Sequence, residues 1–273
     1  MEQTRKNELS EIARSIRMGA IEGVYNAKSG HPGGSLSISD ILAYLYFEEM
    51  NIDPQNPKWE DRDRFVLSKG HCAPALYAAL AEKGYFGKEL LKDLRKIDSF
   101  LQGHPDMKHT PGVDMSTGSL GMGISAACGM ALAGKIAGKN YRVYTIVGDG
   151  ESQEGQVWEA SMFANHYKLD NLCVIIDWNG LQIDGAITDV MDPTPFDKKM
   201  ESFGYNVVMI DAHNFDEIEA AFAAAKATKG RPTAIIAKST KGKGVSFMEN
   251  NAGWHGTAPN AEQYEQAMRE LKA

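Results

Sequence analysis

Two short segments set oxygen-bearing side chains at the ends of apolar runs. Val143–Val147 leads directly into Gly148-Asp149-Gly150, and Leu172–Asp177 leads into Trp178-Asn179-Gly180-Leu181. Both runs have the composition of buried strands, and ligands of open α/β sheets bind beyond the carboxyl ends of such strands. If the two strands are neighbours in a parallel sheet, the Asp149 carboxylate and the Asn179 amide oxygen can meet on one hard cation. A phosphorylated ligand would supply further oxygens, giving the all-oxygen octahedral shell that magnesium prefers. The flanking glycines let the backbone turn tightly and approach a ligand without a Cβ. Glu151-Ser152-Gln153-Glu154 is expected to open a helix whose N-terminal amides face an anion. Gly-Asp-Gly alone is also a common turn; the strand before it, the helix after it and the second strand ending in Asn are what turn it into a site.

Four of the seven histidines sit in glycine-bounded loops: Gly30-His31-Pro32-Gly33, Gly70-His71-Cys72, Gly103-His104-Pro105 and Trp254-His255-Gly256. Imidazole titrates near neutrality and donates or accepts through either nitrogen, which suits proton traffic to hydroxyls and carbonyls. Any one of them could be a loop residue satisfied by its own turn, but four such loops suggest backbones drawn close around something small. His109, His166 and His213 fall in no such pattern and read as ordinary surface or turn residues.

The elements that would carry these groups alternate. Helical spacing covers residues 5–28 and 37–50. A short strand at Arg64–Ser68 precedes a helix at Ala73–Lys83, and residues 98–118 form a Gly-, Pro-, His- and Asp-rich irregular stretch of the length usually kept for function or disorder. A small-residue helix from Gly121 follows. Strands at Tyr141–Val147, Leu172–Asp177, Val207–Asp211 and Thr233–Lys238 then alternate with helices at Glu154–Tyr167 and Asp216–Thr228, and a helical tail covers Ala261–Leu271. This is the pattern of an α/β fold, a doubly wound, mostly parallel sheet with helices on both faces. No repeat, linker or low-complexity tract divides residues 1–273, so one domain is expected.

Composition narrows the function. The 273 residues carry a formal charge of −7 with acids and bases interleaved, which argues against nucleic-acid binding. No apolar run approaches the ~20 residues of a membrane span. The N-terminus lacks a signal-peptide core, so a cytoplasmic location is expected. Cys72, Cys128 and Cys173 are odd in number and far apart, as reduced core thiols would be.

The stretch Gly148–Ala160, continued by Ile176–Gly185, resembles the thiamine diphosphate motif of transketolases. Ser29–Gly33, Ser68–His71 and Gly103–Pro105 match further transketolase segments in the same order. The family often has Asn where this chain has Trp178, a departure that spares the ligand position at Asn179. The resemblance implies the diphosphate-binding domain of the thiamine diphosphate fold over nearly the whole chain. It further implies a divalent cation (Mg, or another such as Ca or Mn) held by Asp149, Asn179 and the backbone carbonyl of Leu181. Gly150 would lie at the cofactor, His71 beside the diphosphate, and Gly118 and Leu120 beneath the thiamine. Lys241 would be a cofactor-side lysine, and His31, His104 and His255 would line the substrate channel. Glu154 matches a glutamate that links two cofactor sites across a subunit interface.

In the family, the glutamate that activates the cofactor belongs to a second, pyrimidine-binding domain, for which this sequence has no room. The expectation is therefore a split enzyme, two copies of this chain with two of a separate partner subunit carrying the pyrimidine-binding domain, transferring a two-carbon ketol unit between sugar phosphates. Three other readings stay open: a relative of 1-deoxyxylulose-5-phosphate synthase, a relative of the 2-oxoacid dehydrogenase α chain, and a non-catalytic binding protein of the same fold. A nicotinamide-binding fold lacks its glycine fingerprint here.

Overall fold

The computed structural model describes residues 1–273. In chain order the elements are α1 (Gln3–Ala27), α2 (Pro32–Ser37), α3 (Ser39–Tyr44), β1 (Arg64–Leu67), α4 (Ala73–Lys83), α5 (Met122–Ile136), β2 (Val143–Gly148), α6 (Gly155–His166), β3 (Leu172–Trp178), β4 (Leu181–Gln182), β5 (Gly185–Ala186), α7 (Ile187–Met191), α8 (Phe196–Ser202), β6 (Asn206–Asp211), α9 (Phe215–Ala227), β7 (Thr233–Lys238) and α10 (Ala261–Lys272). Five strands form one sheet in the order β1-β2-β3-β7-β6, and every pairing in it is parallel.

Side chains alternate across the strands and build a core on each face of the sheet. Tyr144 and Ile146 of β2, with Cys173 and Ile175 of β3, join α1, α3, α4 and α9 in a 39-residue cluster. Val143 and Val147, with Val174 and Ile176, join α5, α6 and α8 in a 20-residue cluster. Burial on both sides explains why the strands read as continuous apolar runs, and it makes the sheet doubly wound. A third cluster, including Ile21, Leu36, Val245, Met248, Trp254, Ala267 and Leu271, brings the segment after β7 back over α1 and α2. That packing carries Lys241 and His255 to the loop of His31. α10 opens on a full capping box, Asn260 with Gln263. No helix is long and apolar enough to cross a membrane.

Three local features depart from the sequence reading. The helix expected over 37–50 breaks at Ile38 (φ −97°, ψ 2°), and α3 then runs into a π-helical turn, Leu45–Glu49. The helix expected to open at Glu151 begins at Gly155, after a 3-10 turn Glu151–Gln153. The Glu151 side chain turns inward, where Ser68 and the amides of Gly121 and Gly148 satisfy it. The β4–β5 hairpin, α7 and α8 fill a stretch in which the sequence pattern marks no element.

Candidate cofactor site

The carboxyl ends of β1, β2, β3 and β7 deliver Lys69, Asp149, Asn179 and Lys241 to one edge of the sheet. Because Gly148 is in register with Asp177, the two loops predicted to converge do so. The Asp149 carboxylate accepts the main-chain N–H of Gly150 at 2.8 Å and of Gly180 at 2.5 Å. Asn179 Oδ1 accepts the N–H of Leu181 at 3.1 Å, and the Leu181 carbonyl accepts from Lys241 Nζ at 3.2 Å.

Asp177, the penultimate residue of β3, holds these groups in place from below. It is buried and accepts from Lys69 Nζ at 2.5 Å, Ser37 Oγ at 2.8 Å, Asn179 Nδ2 at 3.0 Å and the Ser239 hydroxyl. Burial alone would raise the Asp177 carboxyl, but Lys69 and these hydrogen bonds hold it below the ordinary carboxylate value. With its nitrogen committed to Asp177, the Asn179 amide must present its oxygen on the other side. Asp149 has no such cation in contact. Burial first, and the charge of Asp177 second, push its carboxyl up to about 6.

Three histidines pack as one aromatic group. His71 stacks on His255 with centroids 5.0 Å apart, and His31 meets His71 edge-on at 5.1 Å and His255 at 5.5 Å. His104 lies 6.5 Å from His31, behind Gly118. Gly118 has φ +142°, and a Cβ there would come within 2.9 Å of the His104 ring, so the loop passes close only because it is glycine. All four imidazoles are shifted toward their neutral form, chiefly by burial. His31 falls to about 4 and His255 to about 3, with Arg95 and Lys241 respectively as the next causes. His71 lies well below its ordinary value and His104 is lowered as well. Lys241 Nζ sits 3.1 Å from His255 Nδ1, which therefore accepts, and His31 Nδ1 is buried with no hydrogen-bond partner.

A cavity of about 390 Å³ joins these groups. It is lined by every residue singled out from the sequence except His104, which stands behind Gly118, and exposed Glu154 lies at its rim. The residues present fit a divalent cation with a phosphorylated ligand. One buried carboxylate, one amide oxygen oriented from behind and one carbonyl offer only hard oxygen donors, leaving coordination positions for phosphate. No group of three or more His, Cys, Asp or Glu side chains is arranged to hold a metal without such help. Sequence patterns give no site role to Lys69, Asp177 or Glu151. Lys69 falls inside the Ser68–His71 segment, and Asp177 closes the apolar run Leu172–Asp177, an expensive place for a charge unless it is paired. Among the histidines set aside, His109 is an exposed turn residue against Asp106 and His166 ends α6, but His213 is half-buried and bonded to Asp40.

A parallel sheet with such a cavity at its carboxyl edge defines a binding domain for a phosphorylated cofactor. The family model described as "Transketolase, thiamine diphosphate binding domain" matches residues 9–272. The 6-deoxy-6-sulfo-D-fructose transketolase subunit of a Clostridium species is 48% identical over 97% of this chain and 96% of its own length. An apulose-4-phosphate transketolase subunit from Phocaeicola vulgatus is 45% identical over 92% of this chain and 89% of its own. Human transketolase is 44% identical over 99% of this chain, which spans only 43% of that longer protein. The crystal structure of Campylobacter jejuni transketolase superimposes with a TM-score of 0.91 at 34% identity, covering 97% of this chain and 42% of the other. The chain belongs to the transketolase family, as its thiamine diphosphate binding domain. It is thus a chain of a thiamine-dependent enzyme of the transketolase kind, as the motif at Asp149 and Asn179 implied.

Proposed function

We propose that this chain is the diphosphate-binding subunit of a split transketolase, forming a single domain over residues 1–273. The convergence of Asp149, Asn179, the Leu181 carbonyl and Lys241 with the loop histidines on one cavity carries this reading. Asp149, Asn179 and the Leu181 carbonyl hold a divalent cation, magnesium by preference. Gly150, His71 and Lys241 face the diphosphate, and Gly118 and Leu120 lie against the thiamine. His31, His104 and His255, neutral at physiological pH, accept and donate hydrogen bonds to the hydroxyls of a sugar substrate and move protons at its oxygens.

Thiamine diphosphate bound there supplies the carbon nucleophile for moving a two-carbon ketol unit from a ketose to an aldose. The naming of the two bacterial relatives as subunits supports a separate partner, and the length of the human enzyme beyond the matched part suggests what that partner carries: the pyrimidine-binding domain. Two copies of each chain, meeting near Glu154, make the working assembly. The assembly acts in the cytoplasm on sugar phosphates or related sugars, and neither nucleic acid nor membrane takes part.

The test is reconstitution. The purified chain, given magnesium and thiamine diphosphate, is expected to be almost inactive in ketol transfer, and a chain carrying the pyrimidine-binding domain should restore it. Full activity from this chain alone would refute the split. Cofactor binding without turnover in every combination of chain, partner and sugar would favour a binding protein of the same fold.

A further inference from the structure

His213 lies between β6 and α9, outside the cofactor cavity, yet hydrogen bonds tie it to that cavity. Its Nδ1 is 2.7 Å from Asp40 Oδ2, and its Nε2 accepts the main-chain N–H of Thr240 at 3.0 Å. A neutral imidazole carries one proton, so a ring that accepts at Nε2 donates from Nδ1, here to Asp40. Asp40 is buried and paired with both terminal nitrogens of Arg17, whose Nε donates to the Leu36 carbonyl at 3.2 Å. A polar chain thus runs from α1 through α3 and the imidazole to Thr240, the residue before Lys241.

Three main-chain N–H groups of the segment just after β7 are bound by other elements. Ser239 donates its N–H to the Trp178 carbonyl at 3.0 Å, Thr240 donates to His213, and Gly242 donates to the Gly33 carbonyl at 2.9 Å. Lys241 sits between the last two, 2% exposed, with its ammonium between the Leu181 carbonyl and His255. Its stem packs closely on Gly33 and its ammonium is held by those two contacts, so displacing Thr240 shifts the ammonium in the cavity wall.

We infer that His213 is a positioning residue. Fixed in one tautomer by Asp40, its imidazole seats the Thr240 main chain and thereby aims Lys241 at the anion-binding part of the cavity. The last step rests on the reading that Lys241 faces the cofactor diphosphate.

Two substitutions separate the contacts of the ring. His213→Asn keeps a donor for Asp40 and has no atom at the Nε2 position; His213→Gln places an acceptor where Nε2 stood. The first measurement is hydrogen exchange at the Thr240 amide in the full-length, ligand-free chain. The second is calorimetric binding of thiamine diphosphate with magnesium, for each variant alone and combined with Lys241→Met. His213→Asn is expected to speed Thr240 exchange and to weaken binding by about tenfold, the worth of one hydrogen bond to a charged group. His213→Gln should recover most of both. On the Lys241→Met background, His213→Asn should change affinity little, because the group it positions is gone.

Unchanged Thr240 exchange in His213→Asn would overturn the inference. So would an affinity loss as large on the Lys241→Met background as on the natural one. If the natural chain binds and Lys241→Met weakens it while His213→Asn does not, the positioning role alone fails. If neither the natural chain nor its assembly with a chain carrying the pyrimidine-binding domain binds, but Thr240 exchange responds to His213→Asn and is restored by His213→Gln, the seating of Thr240 stands and the cofactor reading fails.

Discussion

The side-chain nitrogen of Asn179 donates to Asp177 Oδ2 at 3.0 Å, and that bond sets the direction in which the amide oxygen points. The same carboxylate oxygen takes the ammonium of Lys69 at 2.5 Å, so one buried group orients a proposed metal ligand and neutralises a buried cation.

Asp177→Asn leaves Lys69 buried and unpaired, and removing one partner of such a pair costs about 3–5 kcal/mol. The urea midpoint of the chain should fall accordingly, and magnesium-dependent binding of thiamine diphosphate should be lost as Asn179 turns. Replacing both partners, Lys69→Met with Asp177→Leu, should recover only part of the stability, because Ser37, Asn179 and Ser239 also lose their acceptor, and none of the binding. Binding by that double variant would show that Asn179 needs no support from behind.

Asp149 makes an opposite contribution in metal-free protein. Its folded pKa, about 6, lies above the unfolded value of about 4, so between those limits the folded chain holds a proton that the unfolded chain has released. Its charge therefore lowers stability as pH rises through that window, and the full penalty applies above it. Asp149→Asn should stabilise the metal-free chain by up to about 3 kcal/mol near neutral pH and give little advantage below pH of about 4. Adding magnesium and thiamine diphosphate should raise the melting temperature of the natural chain and not that of the variant.

The histidines work in the other direction on acidification. His31 near 4 and His255 near 3 lie below the unfolded value of about 6.5, so the unfolded chain takes up protons that the folded chain refuses. Stability is then lost as pH falls from about 6.5 toward 4. Replacing both with Asn should flatten that part of the curve, measured by thermal unfolding of metal-free protein over a pH series. An unchanged slope would assign the acid sensitivity to other groups.

The loop after β1 passes under the loop of Gly118 with no room for a methyl group. A Cβ on Gly70 would lie 2.7 Å from the Gly118 nitrogen and 2.9 Å from the Thr117 carbonyl carbon, both backbone atoms. Gly70→Ala should destabilise by about 1–3 kcal/mol, the usual cost of overpacking. Gly155, the first residue of α6, has nothing within 4 Å of its Cβ position. Gly155→Ala should be neutral or stabilise by up to about 1 kcal/mol, and the two melting temperatures together check the argument.

The parallel strands were legible because burial on both faces leaves long apolar runs, as at Val143–Val147 and Leu172–Asp177. The convergence of Asp149 and Asn179 followed from the strand ends, whereas the rest of the cavity wall, including Lys69, Gly118, Lys241 and three histidines, comes from loops that strand patterns do not place. The break at Ile38 was not legible, since the apolar spacing of Ile38, Ile41, Leu42 and Leu45 suits a continuous helix and only packing interrupts it. Glu151 has the look of a helix-opening acid, yet Ser68 and Gly121 from distant segments, with the nearby Gly148 amide, draw it inward. His213 has no local signature either, because its partners, Asp40 and Thr240, are 173 and 27 residues away.

The sheet order has a consequence for how the protein is made. β7 is the last strand to be synthesised but lies between β3 and β6, so until it inserts, those two strands have open edges facing a gap. A nascent chain ending before Thr233 would expose unpaired strand edges of the kind that invite association. Lys241 and His255 emerge later still. The cavity therefore cannot be complete before β7 has been made, and ligand affinity becomes a signal that synthesis has passed His255 and that these segments have folded together.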